Sequence, residues 1–491
     1  MFITSVIDEM GARHPDKLAV TCGGARLTFR ELSARTARLA GNLRERGIAA
    51  GDTVGLLMPS SVDYAACLVA PLRIGAVSVP LGPRLGPGAL ARVFSDCRLS
   101  ALITTGRLLR DLRGTPLGER LGRLKALIVD GRGDDGPRGS DALPLAPMLE
   151  GGAPAASVPV EPDAHAIYIY TSGSTGSPKG VILTHGIIAR RGANRRNLSV
   201  TADDRCYTIG GLDHNGKLFI GLVWSLYLGM TFHTDAGFHP LVALQRLAAE
   251  RVTLLHASPF HFAVLAGYER YPVPVELPAL RLCISSGNRL EPAVARRFER
   301  RFGVGIVENY GITEAGGLCS DGVALEGVEI RILDEDGEEL GPGRLGRIVV
   351  AGPGRALGYL RRPDLTAARF RGRWFHTGDL GRVDASGRLE VVCRAKNALS
   401  IAGRTVYPEE IQAVLRDHPL VEDALVAADG PERLRALVVP RGGVELSAEV
   451  LREHCRGRLP PHEVPGAVEL RADLPRPWKR ALERDRFDEL G

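Results

Sequence analysis

Short apolar runs that read as strands alternate with amphipathic helical segments from the start of the chain, and this alternation narrows the possible folds more than any other feature. Thr28-Phe-Arg-Glu31 has capping-box spacing, in which a threonine and a glutamate three residues on satisfy each other's backbone N–H groups. It predicts a helix with Leu32, Leu39 and Leu43 on one face. Thr53-Val-Gly-Leu-Leu-Met58 then reads as a buried strand, followed by an Ala-rich helix and the strand Ala76-Val-Ser-Val79. Leu102-Ile-Thr104 and Leu127-Ile-Val129 repeat the theme. Strands apolar on both faces need cover on both faces, which helices packed on a largely parallel sheet supply. The expected fold class is therefore α/β, with a large N-terminal domain of layered sheets.

The pattern changes twice. Residues 131–163 are rich in Gly, Pro and Asp and read as a surface loop. From about residue 325 to 393, Val328–Leu333, Arg347–Val350 and Leu389–Cys393 are short strands separated by DEDGEE and DASG turns, which predicts a β-rich subdomain. The remainder mixes helix and strand patterns and reads as a small separate α+β domain. A chain of 491 residues allows about three domain-sized units.

Charge and cysteine usage exclude several classes. The net charge of +6 is spread over 63 basic and 57 acidic residues, without a basic stripe interleaved with aromatics, so nucleic acid is not expected as a partner. The eight cysteines form no CxxC or Cys/His metal pattern, which suits a reducing, cytoplasmic setting. The N-terminal residues carry acids where a signal peptide needs a basic and then an apolar region. The longest uncharged run, Leu218–Thr234, is short for a membrane span and contains Gly221, Ser225 and Gly229, so a buried helix is expected. Only six basic residues are lysines: Lys17, Lys125, Lys179, Lys217, Lys396 and Lys479. In an arginine-rich chain a retained lysine marks places where a compact point charge serves better than a planar fork.

The densest chemical signal is Tyr170-Thr-Ser-Gly-Ser-Thr-Gly-Ser-Pro-Lys-Gly-Val181, which follows the apolar strand Ala166–Tyr170. Backbone N–H groups and hydroxyls from Thr171, Ser172, Gly173, Ser174, Thr175 and Gly176 can wrap phosphates, and Lys179 adds a charge at the far end. The spacing Gly173-x5-Lys179 followed by Gly180 is not a Walker A loop.

Through this string the sequence resembles the adenylate-forming superfamily of acyl- and aryl-CoA ligases, adenylation domains and luciferases. Further motifs follow in that family's order over nearly the whole chain: Glu308-Asn-Tyr-Gly-Ile-Thr-Glu314, Gly358-Tyr359 with Leu365-Thr366, Trp374-Phe-His-Thr-Gly-Asp-Leu-Gly381, then Arg394, Gly403 and Val406-Tyr-Pro-Glu-Glu-Ile411. The resemblance implies ATP and Mg2+ as cofactors, with CoA as the probable second substrate. It implies nucleotide contacts from Gly287, Asn309, Tyr310, Gly311 and Thr313, with Tyr310 stacking on adenine. Glu314, with Thr175, would hold Mg2+ against the phosphates. Asp379 would accept from the ribose hydroxyls, and Arg394 would donate to the ribose or phosphate side. It also implies a domain boundary, with residues 1–393 forming the adenylate-forming domain and 394–491 a mobile C-terminal domain hinged near Lys396.

Lys479 takes the place of the family's catalytic lysine, expected to bridge the attacking carboxylate and the α-phosphate. The segment Leu474-Pro-Arg-Pro-Trp-Lys479 is about two residues shorter than the family pattern, and Trp478 stands where a glycine is usual. The acid would lie beside Leu212-Asp-His-Asn-Gly-Lys-Leu218, giving Asp213, His214, Asn215 and Lys217 as pocket residues, with Ser285 and Ser286 on the opposite wall. Lys217 has three open roles: facing water, pairing with Asp213, or meeting an anionic group of the substrate. The expected reaction converts a small polar or aromatic acid and ATP to acyl-AMP and pyrophosphate, followed by transfer to a thiol. A free acyl carrier protein as acceptor, adenylation of a small oxyanion such as nitrite with transfer to an amine, luciferase-type oxidation and a non-catalytic nucleotide-binding homologue are the alternatives. Oligomeric state is open.

Overall fold

A computed structural model describes residues 1–131, 142–172, 178–194, 197–268, 275–441, 446–472 and 474, with the backbone alone at Ser172. Two large sheets, one of nine strands and one of eight among the described residues, make up the body of the N-terminal part. The chain weaves between them. Leu18–Cys22 and Ala25–Thr28 belong to the first sheet, and residues 53–184 then build most of the second. Residues 205–324 return to the first, and Gly358–Tyr359 adds an edge strand to the second.

The expected elements are present. The helix Phe29–Glu45 opens on Thr28 with both halves of the capping box formed, and Leu32, Leu39 and Leu43 are buried. Thr53–Leu57, Val77–Leu81, Ala101–Thr105 and Ala126–Asp130 are mutually parallel neighbours in the second sheet. A third sheet, of five strands, contains Glu329–Leu333, Gly346–Ala351, Phe370–Arg371, Trp374–Val383 and Leu389–Arg394. After it come a two-stranded ribbon over residues 399–406 and a three-stranded sheet over 421–470 with the helices Pro408–Asp417 and Ala448–Arg456. This smaller unit has its own core around Ile411, Leu415, Val438 and Leu451.

Two expectations need correction. The stretch read as one surface loop contains the helix Leu145–Glu150, whose Leu145, Met148 and Leu149 are buried in the main core. Six helical residues are too few to show a period amid flanking Gly and Pro. The run read as a single buried helix is buried, but it is a π-helix, Lys217–Val223, continued by the α-helix Trp224–Leu228. It stops at Gly229, whose φ of 69° a side chain would resist, and passes into the strand Thr231–Thr234. No helix among the described residues is long and apolar enough to cross a membrane.

Candidate active site

A cleft of about 820 Å³ opens where the parallel strands of the first sheet end, the usual place for a ligand in an open α/β sheet. Leu282–Ser286 delivers Ser286 and Gly287 to it, and Ile306–Ile312 delivers Asn309 and Gly311, with Thr313 and Glu314 following. Gly311 is needed for packing: a Cβ there would lie 2.6 Å from the Gly316 carbonyl oxygen across the hairpin.

The second sheet supplies the opposite wall. His165–Ser172 and Pro178–Thr184 are antiparallel partners, with Thr171 facing Lys179 and Tyr170 facing Gly180. Lys179 is thus fixed on a buried strand at the far end of the Ser/Thr/Gly string. Gly173, Ser174, Thr175 and Gly176 lie outside the described residues, whereas Thr171 and Lys179 line the cleft. The edge strand Gly358–Tyr359 pairs with Val181–Ile182 and brings Tyr359 alongside: the Lys179 ammonium is 5.9 Å from its ring centre. Tyr359 Oη donates to Glu314 Oε1 at 2.7 Å, fixing one carboxylate oxygen at the cleft wall. The spacing to Thr366 has a cause as well, because the Tyr359 N–H donates to Thr366 Oγ1 at 3.0 Å.

The third sheet contributes Asp379, 2% exposed. It follows Gly378, whose φ of 80° makes the turn and whose missing side chain leaves room for the Arg369 guanidinium. Tyr310 Oη donates to Asp379 Oδ2 at 2.6 Å. Arg394 Nε stands 2.7 Å from Oδ1, yet off the hydrogen-bond direction, so this buried oxygen is paired by charge and accepts no hydrogen bond. Burial raises the Asp379 carboxyl above its ordinary value, against the opposing pull of Tyr310 and Arg394. Tyr310 and Asp379 stand behind the lining formed by Asn309, Gly311, Thr377, Gly378 and Arg394. Ala395 and Lys396 complete that rim on a short 3-10 turn leading into the smaller unit.

A buried arginine that carries no motif in the sequence ties these parts together. Arg191, 4% exposed, donates from Nη2 to the Thr313 carbonyl at 2.9 Å, from Nη1 to Asn215 Oδ1 at 3.1 Å and from Nε to the Gly354 carbonyl at 2.8 Å. It also lies over the Phe219 ring at 5.2 Å. One guanidinium thus joins the segment carrying Glu314 to the segment carrying the acid-pocket residues.

In that pocket His214, Asn215, Lys217 and Ser286 line the cleft together with Phe219, Ser258, Phe260 and His261. Asp213 is not among the lining residues: it packs against Gly82 and Gly211, with its Oδ2 3.6 Å from His214 Nε2. Ser285 is buried behind Ser286, whose Oγ is hydrogen-bonded to His256 Nε2 at 2.8 Å. Lys479 lies outside the described residues. No cluster of three or more His, Cys, Asp or Glu able to hold a metal occurs among the described residues.

Lys217 is 9% exposed, and burial alone lowers its pKa from an ordinary value of 10.5 to about 8. An ammonium disfavoured by folding costs stability wherever both states are protonated, below about pH 8, and the cost fades as pH rises toward the unfolded value. Lys217→Met is therefore expected to stabilise the ligand-free protein by roughly 3 kcal/mol at pH 7. The gain should shrink between about pH 8 and 10.5, as read by denaturant titration of both proteins across that range. A gain that does not depend on pH would assign the effect to packing instead.

The model described as "AMP-binding enzyme" matches residues 7–360, and that described as "AMP-binding enzyme C-terminal domain" matches 410–477. A feruloyl-CoA synthase of Amycolatopsis sp. is 34% identical over 479 residues, spanning 94% of this chain and 93% of the relative. An indoleacetate–CoA ligase of Aromatoleum aromaticum is 28% identical, spanning 100% and 98%. The crystal structure of ATP-bound MatB from Rhodopseudomonas palustris, 28% identical, aligns over 100% of both chains with a TM-score of 0.81. The chain belongs to the AMP-binding enzyme family, the adenylate-forming superfamily that its motifs resemble. Within that family it is an AMP-forming acid–thiol ligase that activates an acid with ATP.

Proposed function

We propose that the acid is a small aromatic carboxylate, and that its adenylation and transfer to CoA use the two halves of the cleft described above. The observation that carries the nucleotide half is the Asp379 Oδ1 atom, buried without a hydrogen bond beside the cleft rim, as a ribose acceptor would be. On the acid side, Phe219, Phe260 and His261 give walls suited to a flat ring, and the feruloyl and indoleacetate relatives bear names of aromatic acids.

The chemistry runs in two displacements. A carboxylate oxygen of the acid attacks the α-phosphorus of ATP, the bond to the β-phosphate breaks, and pyrophosphate leaves. The CoA sulfur, as thiolate, then attacks the acyl carbon and AMP leaves with the bonding electrons. Lys179 and Thr171, which line the cleft, would hold the phosphates, and Asp379 with Tyr310 behind it would hold the nucleoside. Glu314, its Oε1 fixed by Tyr359, would hold a magnesium ion with its other oxygen. That ion would neutralise phosphate charge. Residues 394–491 serve as a mobile domain hinged near Lys396, which would bring Lys479 to the cleft and remove it before the thiol step.

The test is acid-dependent pyrophosphate exchange over benzoates, cinnamates and alkyl acids, followed by CoA addition. Aromatic acids should drive exchange, and CoA should then yield a thioester with stoichiometric AMP. A preference for long alkyl acids would overturn the aromatic assignment. Product formed only with a carrier protein, or from nitrite plus an amine, would overturn the CoA or the carboxylate assignment respectively.

A further inference from the structure

Lys217 is a part of the cleft to which the reaction as described gives no task. It opens the buried π-helix, and its aliphatic stem packs on Gly210, where an added Cβ would lie 3.0 Å from Cε. Among the described residues its ammonium forms no hydrogen bond and no ion pair, although it is nine-tenths buried and lines the cleft. The carboxylate that could have neutralised it, Asp213, lies outside the lining beside His214, Gly82 and Gly211. Glu314, the carboxylate of the cleft lining, is held by Tyr359, and among the described residues no carboxylate acts on Lys217 by charge. Ser258 Oγ is hydrogen-bonded to His261 Nδ1 at 2.7 Å, and His261 is kept neutral by burial and by the charges of Lys217 and Arg84. A buried ammonium without a counterion is expensive, and nothing among the described residues offsets it.

The reacting carboxylate is not the missing partner. Asn215 is bound to Arg191, which holds the Thr313 carbonyl, so that side of the segment faces the phosphate end. Leu218 N donates to the His214 carbonyl at 2.9 Å, which makes residues 214–218 a helical turn. Residues two apart on such a turn point in different directions. Lys217 points instead toward Gly210, and its charge acts on His261, away from the Asn215–Arg191 side of the cleft.

We propose that Lys217 is the receptor for a second oxyanion on the substrate, so that the enzyme selects aromatic acids whose ring carries a phenolate or a second carboxylate. This rests on the reading of the cleft as an acid-activating site. An acid of this kind supplies the counterion that the pocket lacks, and an unsubstituted ring would leave the ammonium sealed against carbon. Selection then comes from the penalty on the wrong acid as much as from the bond to the right one.

The experiment uses the full-length enzyme and matched acids: benzoate, its 3- and 4-hydroxy derivatives, and the corresponding benzenedicarboxylates. Pyrophosphate exchange with wild type should favour at least one oxyanion-bearing acid over benzoate by about 30-fold in kcat/KM, the worth of one charge-assisted bond. Lys217→Met should collapse that ratio toward one, with most of the loss in KM. The hydroxy and dicarboxylate arms tell which oxyanion is used. Benzoate turned over by wild type as well as every substituted acid would overturn the proposal, and so would a ratio unchanged in Lys217→Met. If that variant fails to fold, the wild-type ratio decides alone. Absence of exchange with every acid would instead overturn the acid-activating reading itself.

Discussion

Asp379→Ala is expected to weaken AMP and ATP binding on the order of 300-fold, the loss of two charge-assisted hydrogen bonds to the sugar. The carboxylate is nearly sealed, with Tyr310 on one oxygen and Arg394 close to the other. Because Arg394 does not complete a hydrogen bond to Oδ1, a ribose hydroxyl entering there gains a bond without breaking one. The same substitution leaves the Tyr310 hydroxyl unpaired and Arg394 without its counterion, so a stability loss of about 1–3 kcal/mol should accompany it. Asp379→Asn separates the two effects. Its amide oxygen can still accept from Tyr310, which should spare stability, while the lost charge should still cost affinity. Calorimetry with AMP, beside melting curves of the three proteins, reads both quantities. AMP binding by a folded Asp379→Ala within twofold of wild type would remove Asp379 from the nucleotide site.

The local parts of this structure were legible in the sequence because their causes are local. The Thr28–Glu31 capping box and the strands from Thr53 to Asp130 follow from neighbouring residues and appear where expected. The motifs around Glu314 and Asp379 were legible through resemblance, although the contacts that fix them were not. Tyr359 reaches Glu314 across 45 residues, and Tyr310 reaches Asp379 across 69. Arg191 gave no signal because it is one arginine in an arginine-rich chain, and its role comes from three partners distant in sequence. Asp213 and Lys217 are near neighbours along the chain, yet the turn at 213–217 sends one out of the cleft and the other into it.

Lys479→Ala is expected to lower acid-dependent pyrophosphate exchange by about 1000-fold, the scale of removing a preorganised charge from a developing negative centre. In the ground state the ammonium would touch phosphate and carboxylate that Lys179 and Glu314 already help to hold, so ATP affinity should change little. In the transition state negative charge gathers between the attacking oxygen and the α-phosphate, where no other group described in the cleft is assigned. It is the only lysine after Lys396, and the arginines around it could not substitute easily, because a planar fork needs more room than a point charge. The thioester half-reaction sets a control. Supplied with presynthesised acyl-AMP, the variant should still form acyl-CoA at near wild-type rate, since the lysine is withdrawn for that step. Near wild-type exchange would strike Lys479 from the mechanism. Equal loss of both half-reactions would point to a misfolded tail, and the rate with acyl-AMP distinguishes that case directly.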